Sequence, residues 1–142
     1  MAVTGHTYGE YIKDLQTEVH NVTSDVLKMA LLDNGYTINV DTHTQWSDCS
    51  GDEISGGNYV QKTLASVTLT KNTGTKKIEL DCADVTWTNL TGTFRWVIVF
   101  NDTATNDELL TAYDLGADQT VSGVDFVATI ASDGLHTTTY SL

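Results

Sequence analysis

Residues 83–103 read ADVTWTNLTGTFRWVIVFNDT, and the way this stretch is folded decides the architecture of the chain. Within it, FRWVIVF sets Phe94, Trp96, Ile98 and Phe100 at one parity and Arg95, Val97 and Val99 at the other. Successive side chains of a strand point to opposite faces, so a run that is apolar at both parities needs cover on both sides. The segment therefore reads as a central strand, and its aromatic rings as core rather than as a displayed patch. Val85 and Trp87 alternate again before Asn89-Leu90-Thr91-Gly92, ahead of the run FRWVIVF. Arg95, one of only 7 basic residues, is expected at a strand edge or facing an acidic partner such as a neighbouring protomer.

Working outward, the same period of two recurs. LLTAYDLG (Leu109 to Gly116) is the next strand, and a Ser122-Gly123 turn leads into VDFVATIA, with Val124, Phe126, Ala128 and Ile130 in register. Asp133-Gly134 turns the chain into a last strand, LHTTTY. Upstream, TLASVTLT and KIELDC flank a KNTGTKK turn as a hairpin, and VLKMALL (Val26 to Leu32) reads as a buried strand. Tyr8, Tyr11, Ile12, Leu15 and Val19 follow a helical spacing instead, one stripe on a short N-terminal helix. The 24 threonines and the lack of any proline suit pleated surfaces. Together these features predict an all-β protein, an antiparallel β-sandwich of jelly-roll or immunoglobulin-like Greek-key type. Residues 1–142 form one domain on this reading, with 1–24 as an N-terminal arm and helix. Tyr36 to Gly57 is the longest loop-like segment, of a length that in small domains is usually functional or ordered by a partner.

Charge and composition exclude several classes. A net charge of −12 repels phosphate backbones and anionic lipid, so neither nucleic acid nor membrane is an expected partner. No apolar run nears the roughly 18 residues of a membrane span, and MAVTGHTYGEY lacks a signal pattern, which predicts a soluble chain not routed by a cleaved signal. Cys49 and Cys82 stand outside any CxxC or metal spacing; they read as small buried hydrophobes or as one disulfide. His6, His20, His43 and His136 form no HExxH pair, no serine sits in a GxSxG elbow, and the acidic loops lack the alternating ligand spacing of a calcium loop. No cofactor, metal or catalytic residue is therefore expected, and the chain is read as a non-enzyme. Trp46 and Tyr59, taken as exposed aromatics, leave open a carbohydrate-binding module.

The order VLKMALLDNGYTINVDTHTQWSD, GDEISGGNYV, KTLASVTLT, LDCADVTWTNLTGTFRWVIVFNDT, LLTAYDLGADQTVSGVDFVATI and a closing DGL resembles a family of small virion structural proteins of tailed bacteriophages, some of them capsid decoration (cement) proteins. The segment Asp81 to Trp87, the strand ending Ala112 to Gly116 and the late Asp133-Gly134 are its more distinctive parts; Cys82 and the turn Ile54 to Asn58 depart from the pattern. The resemblance implies a non-enzymatic protein, a homotrimer bound to the major capsid protein on the outside of the virion and assembled in the host cytoplasm. A head-tail, tail or fibre component is the alternative within the virion. Partner contacts are expected from His6, Tyr8, Tyr11 and Ile12 in the N-terminal segment, from His43 and Trp46 in the long loop, and from Tyr59 just after it. Tyrosine on the helix stripe favours such contacts, being enriched at interfaces.

Overall fold

A computed structural model describes residues 3–141. Its centre is a hairpin of two long strands, β6 (Val85–Asn101) and β7 (Leu109–Ala128). β2 (Leu27–Leu32) pairs with the second half of β6, and β3 (Lys62–Thr63) with the start of β2. β1 (Thr4–Thr7) adds to β7 across Thr111–Asp114, completing a five-stranded antiparallel sheet of order β1-β7-β6-β2-β3. A second antiparallel sheet holds β4 (Thr68–Asn72), β5 (Lys77–Asp81) and β8 (His136–Thr139) in the order β4-β5-β8. With one short helix, α1 (Gly9–Gln16), the fold is an all-β, sandwich-like arrangement.

β6 is central, as its double apolar parity requires: β2 lies on one side and β7 on the other. Its length differs from the sequence reading. Asn89 to Gly92 form an irregularity inside β6, and Ser122-Gly123, expected as a turn, is no chain reversal but its counterpart inside β7. Asn89 (φ 52°) and Gly123 (φ 63°) adopt the left-handed conformation that also marks turns. Here each kink is satisfied across the hairpin. The Asn89 amide donates to Asp125 Oδ1 at 2.8 Å, and the Gly123 amide to Thr91 Oγ1 at 2.8 Å. A β-bulge keeps the ladder going past a residue that would otherwise end it.

Register explains how both faces of β6 are used. Met29 pairs with Val99, Leu31 with Val97 and Tyr113 with Val97, which sets these residues on one face. Leu32 pairs with Trp96, and Ala30 and Ala112 with Ile98, on the other. The first face meets the β8 side of the molecule, where Tyr113 Oη donates to the Leu135 carbonyl and Thr7 Oγ1 lies 3.1 Å from His136 Nδ1. Trp96 and Phe100, on the opposite face, are covered by the long segment after β2. The Tyr36 ring stands edge-on to Trp96 at 5.4 Å and 89°, and the Trp46 ring stacks on Phe100 at 4.6 Å and 16°. A segment with only two single-turn 3-10 helices, Trp46–Asp48 and Ser50–Asp52, thus serves as a covering layer.

From Thr4 onward the N-terminal segment joins the fold. β1 is hydrogen-bonded into the sheet, and α1 is shorter than its stripe implied because Glu18 takes a left-handed φ of 63° just past Thr17. Val19 consequently lies outside the helix. Arg95 faces an acidic partner on its own chain, with Nε and Nη2 donating to the two carboxylate oxygens of Asp114 at 2.8 and 3.0 Å. Cys49 and Cys82 are both free and buried.

Candidate functional site

The two regions expected to carry partner contacts meet at the covered end of Trp96. Tyr8 is the residue preceding α1, and its extended backbone turns its ring away from the helix toward the long loop. Tyr8 Oη lies 2.8 Å from Tyr36 Oη, which lies 2.9 Å from His43 Nδ1. The Gly9 amide donates to the Val40 carbonyl at 2.9 Å, tying the same two segments through backbone. His6, on β1, tilts against Trp96 with ring centres 5.9 Å apart, and Tyr36 against His43 at 5.6 Å. Locally, the loop is shaped by side chains that cap its own backbone. Asn39 Oδ1 accepts from the amides of Asp41 and Thr42, and Asp48 Oδ2 from those of Thr44 and Gln45.

The chemistry of this cluster is that of a pin. Burial pushes the Tyr36 phenol up to about 12 and the Tyr8 phenol far above its ordinary value, so both keep their protons and each can donate one hydrogen bond. Cys49 lies 1% exposed near them, and burial raises its thiol to about 12, which leaves no thiolate for nucleophilic work. His6 and His43 are half-buried and form the accessible rim.

Tyr8 (0% exposed) and Tyr11 (2%) are core residues, which corrects the expectation that they present surface to a partner. Helical spacing places residues on one face but does not say whether that face is covered. Tyr11 packs between His20 and His136, edge-on to each at 5.2 and 5.3 Å. Ile12 is different. It remains 37% exposed, as does Leu15 at 38%, and Leu15 lines a small cleft with Leu69 of β4, itself exposed. α1 therefore buries its tyrosine, Tyr11, and leaves Ile12 and Leu15 partly facing out.

Trp46 and Tyr59 are half-buried, not the exposed aromatics the sequence reading took them for. One face of Trp46 is occupied by Phe100, and Cys49 Sγ donates to the Trp46 carbonyl at 3.3 Å. Tyr59 works elsewhere, beside β2: its Oη accepts from the Leu31 amide at 3.1 Å and donates to Glu53 Oε1 at 2.7 Å. Both staple the segment between β2 and β3 to the sheet.

Tyr36, Val40 and Trp96 were not among the expected contacts, and no local signal marks them, since their partners are distant in sequence. An apolar groove of about 440 Å³ also opens beside β7, between Met29, Val97, Tyr113 and Phe126 on the sheet and Ile130 and Leu135 beyond it. Among the described residues, no group of three or more His, Cys, Asp or Glu side chains could hold a metal ion, and no helix is long and apolar enough to cross a membrane. No protein-family model matches this chain, and neither a curated protein nor a solved structure matches it.

Proposed function

We propose that this chain is a structural component of a tailed-phage virion, a decoration protein that binds the outer surface of the capsid shell and strengthens it without catalysing a reaction. The observation that carries the binding role is the outward strip of α1, where Ile12 and Leu15 stay exposed, Leu15 next to Leu69 of β4, on a molecule of net charge −12. Aliphatic residues grouped on an otherwise acidic surface mark a protein contact more readily than a ligand site. The charge supports an exterior position, since the interior of a DNA-filled shell is crowded with phosphate. The family resemblance supplies the virion itself, the major capsid protein as partner and assembly in the host cytoplasm. A cyclic trimer fits threefold shell positions and multiplies modest contacts into firm attachment.

The test is rebinding of purified protein to heads stripped of it. Saturation at a copy number close to that of the major shell subunit, with greater resistance of the heads to heat, is the expected result. Leu15→Asp should lower occupancy while leaving unfolding unchanged. Failure to rebind with no gain in resistance, or particles that carry only a few copies at the head-tail junction, would overturn the decoration role.

A further inference from the structure

We propose that His20 is an acid-opened latch: a second proton on its ring undocks α1 and the Thr17 to Asp25 segment from the end of β6, while the two sheets stay folded. The geometry begins with Asn101, the last residue of β6 and fully buried. Its Oδ1 accepts from the amides of Thr103 and Ala104 at 3.0 and 3.2 Å, which fixes the orientation of its amide group. Its Nδ2 therefore faces the other way, donating one hydrogen to Asp25 Oδ2 at 2.6 Å and the other to His20 Nδ1 at 3.0 Å. Nδ1 is thus an acceptor, and the neutral ring carries its proton on Nε2. That Nε2 is buried without a partner, with Asp14 Oδ2 3.9 Å away and beyond hydrogen-bond reach.

A proton added at Nδ1 sets N–H against N–H. Asn101 cannot answer by turning over, because its oxygen would abandon two backbone amides and face the Asp25 carboxylate. The charged ring must leave its site instead. His20 has no exposed side-chain surface and packs edge-on against Tyr11, so its departure removes one of the two imidazole rings that clamp Tyr11 and hold α1 to this end of the sandwich, the other being His136. The charged groups facing the ring are Asp14 from α1, Asp25 from the segment before β2 and Glu108 from the residue before β7. All three favour the cation, but burial outweighs them and holds His20 below its ordinary value. Asp14 is itself held high, by burial first and then by Glu10, so its attraction fades as pH falls. Tyr11 stays neutral, raised to about 12 by burial. With one proton taken up on opening, the opening constant grows by up to tenfold per pH unit between the ordinary histidine value of about 6.5 and the lower value of the docked ring, and levels off below that.

The experiment is an NMR titration of the imidazole rings of the full chain, paired with hydrogen exchange across the same pH range. The expected result is a neutral ring protonated on Nε2 at neutral pH, titration below the ordinary value, and a loss of protection in residues 9–25 of up to tenfold per pH unit between the ordinary value and that of the docked ring, while β6 and β7 keep theirs. His20→Gln, which retains an acceptor for Asn101, should abolish the pH dependence. In the exchanged pair Asn101→Asp with Asp25→Asn, Nδ1–H gains a carboxylate acceptor, so His20 should titrate above its ordinary value and α1 should stay docked in acid. Titration of native His20 at or above the ordinary value, protection of α1 unchanged through the titration, or the same acid loss in His20→Gln would each overturn the latch. If a variant fails to fold, the wild-type titration and exchange decide alone.

Discussion

Replacing Gly57 by alanine should destabilise the fold by about 3 kcal/mol, whereas the same change at Gly56 should cost about 1 kcal/mol. Both glycines have left-handed backbone, φ 56° at Gly57 and 74° at Gly56, so the conformational cost of a Cβ is common to the two. Their surroundings differ. A Cβ on Gly56 meets nothing within 4 Å, while one on Gly57 would stand 1.9 Å from the Thr91 carbonyl oxygen and 2.8 Å from its carbon. The obstacle is backbone of the central strand, which cannot swing aside as a side chain could. The turn must detach, losing the Thr91 amide bond to the Gly57 carbonyl (2.8 Å) and the Asn58 Nδ2 bond to the Asn89 carbonyl (3.0 Å). At about 1 kcal/mol for each bond, added to the shared backbone cost, the total reaches about 3 kcal/mol. Urea unfolding followed by tryptophan fluorescence measures it, and comparing midpoints at equal slope removes most extrapolation error. Two variants equal within about 0.5 kcal/mol would refute the contact between this turn and β6.

Tyr36→Phe removes the middle of the Tyr8–Tyr36–His43 chain and strands the buried Tyr8 hydroxyl; a loss of about 1–3 kcal/mol in urea unfolding is expected. Both thiols should resist an aromatic disulfide reagent in the native protein at neutral pH, since burial raises Cys49 to about 12 and Cys82 to about 11, and should react in a single step on unfolding. Fast native labelling of either would contradict its burial. His136 is held below its ordinary value by burial, so the unfolded chain binds the proton more readily. Its contribution to stability is complete above about pH 6.5 and is lost as pH falls toward the folded value, and His136→Gln should flatten that part of the urea midpoint against pH.

The Arg95–Asp114 pair, the bulges and the long loop show how far local pattern reaches. An apolar run at both parities needs cover on both faces, so the central place of β6 is legible in the sequence. Ser122-Gly123 reads as a turn in the sequence because a left-handed residue gives the same local signal in a turn and in a bulge. What separates them is whether a partner strand continues alongside, and that is a long-range fact. The N-terminal helix was legible from its stripe, but the stripe mixed Tyr8 and Tyr11, which are buried, with Ile12 and Leu15, which are not. The tyrosine-to-histidine pin, the expected contacts His6 and His43 at its rim, and the stapling role of Tyr59 emerged only when the N-terminal segment was seen against the loop.

By itself the sequence determined the all-β class, the identity of the central strand, the acidic surface and the absence of any compact motif for metal or nucleophilic chemistry. These properties follow from composition and from periods of two and four residues, which are set by local backbone geometry. Only the tertiary structure decided that Arg95 pairs within the chain, that Tyr36 to Gly57 covers a sheet face, and that His20 Nδ1 meets the Asn101 amide, whose orientation is fixed by Thr103 and Ala104. Each depends on groups far apart along the chain, and no local period records which distant residue will arrive opposite another.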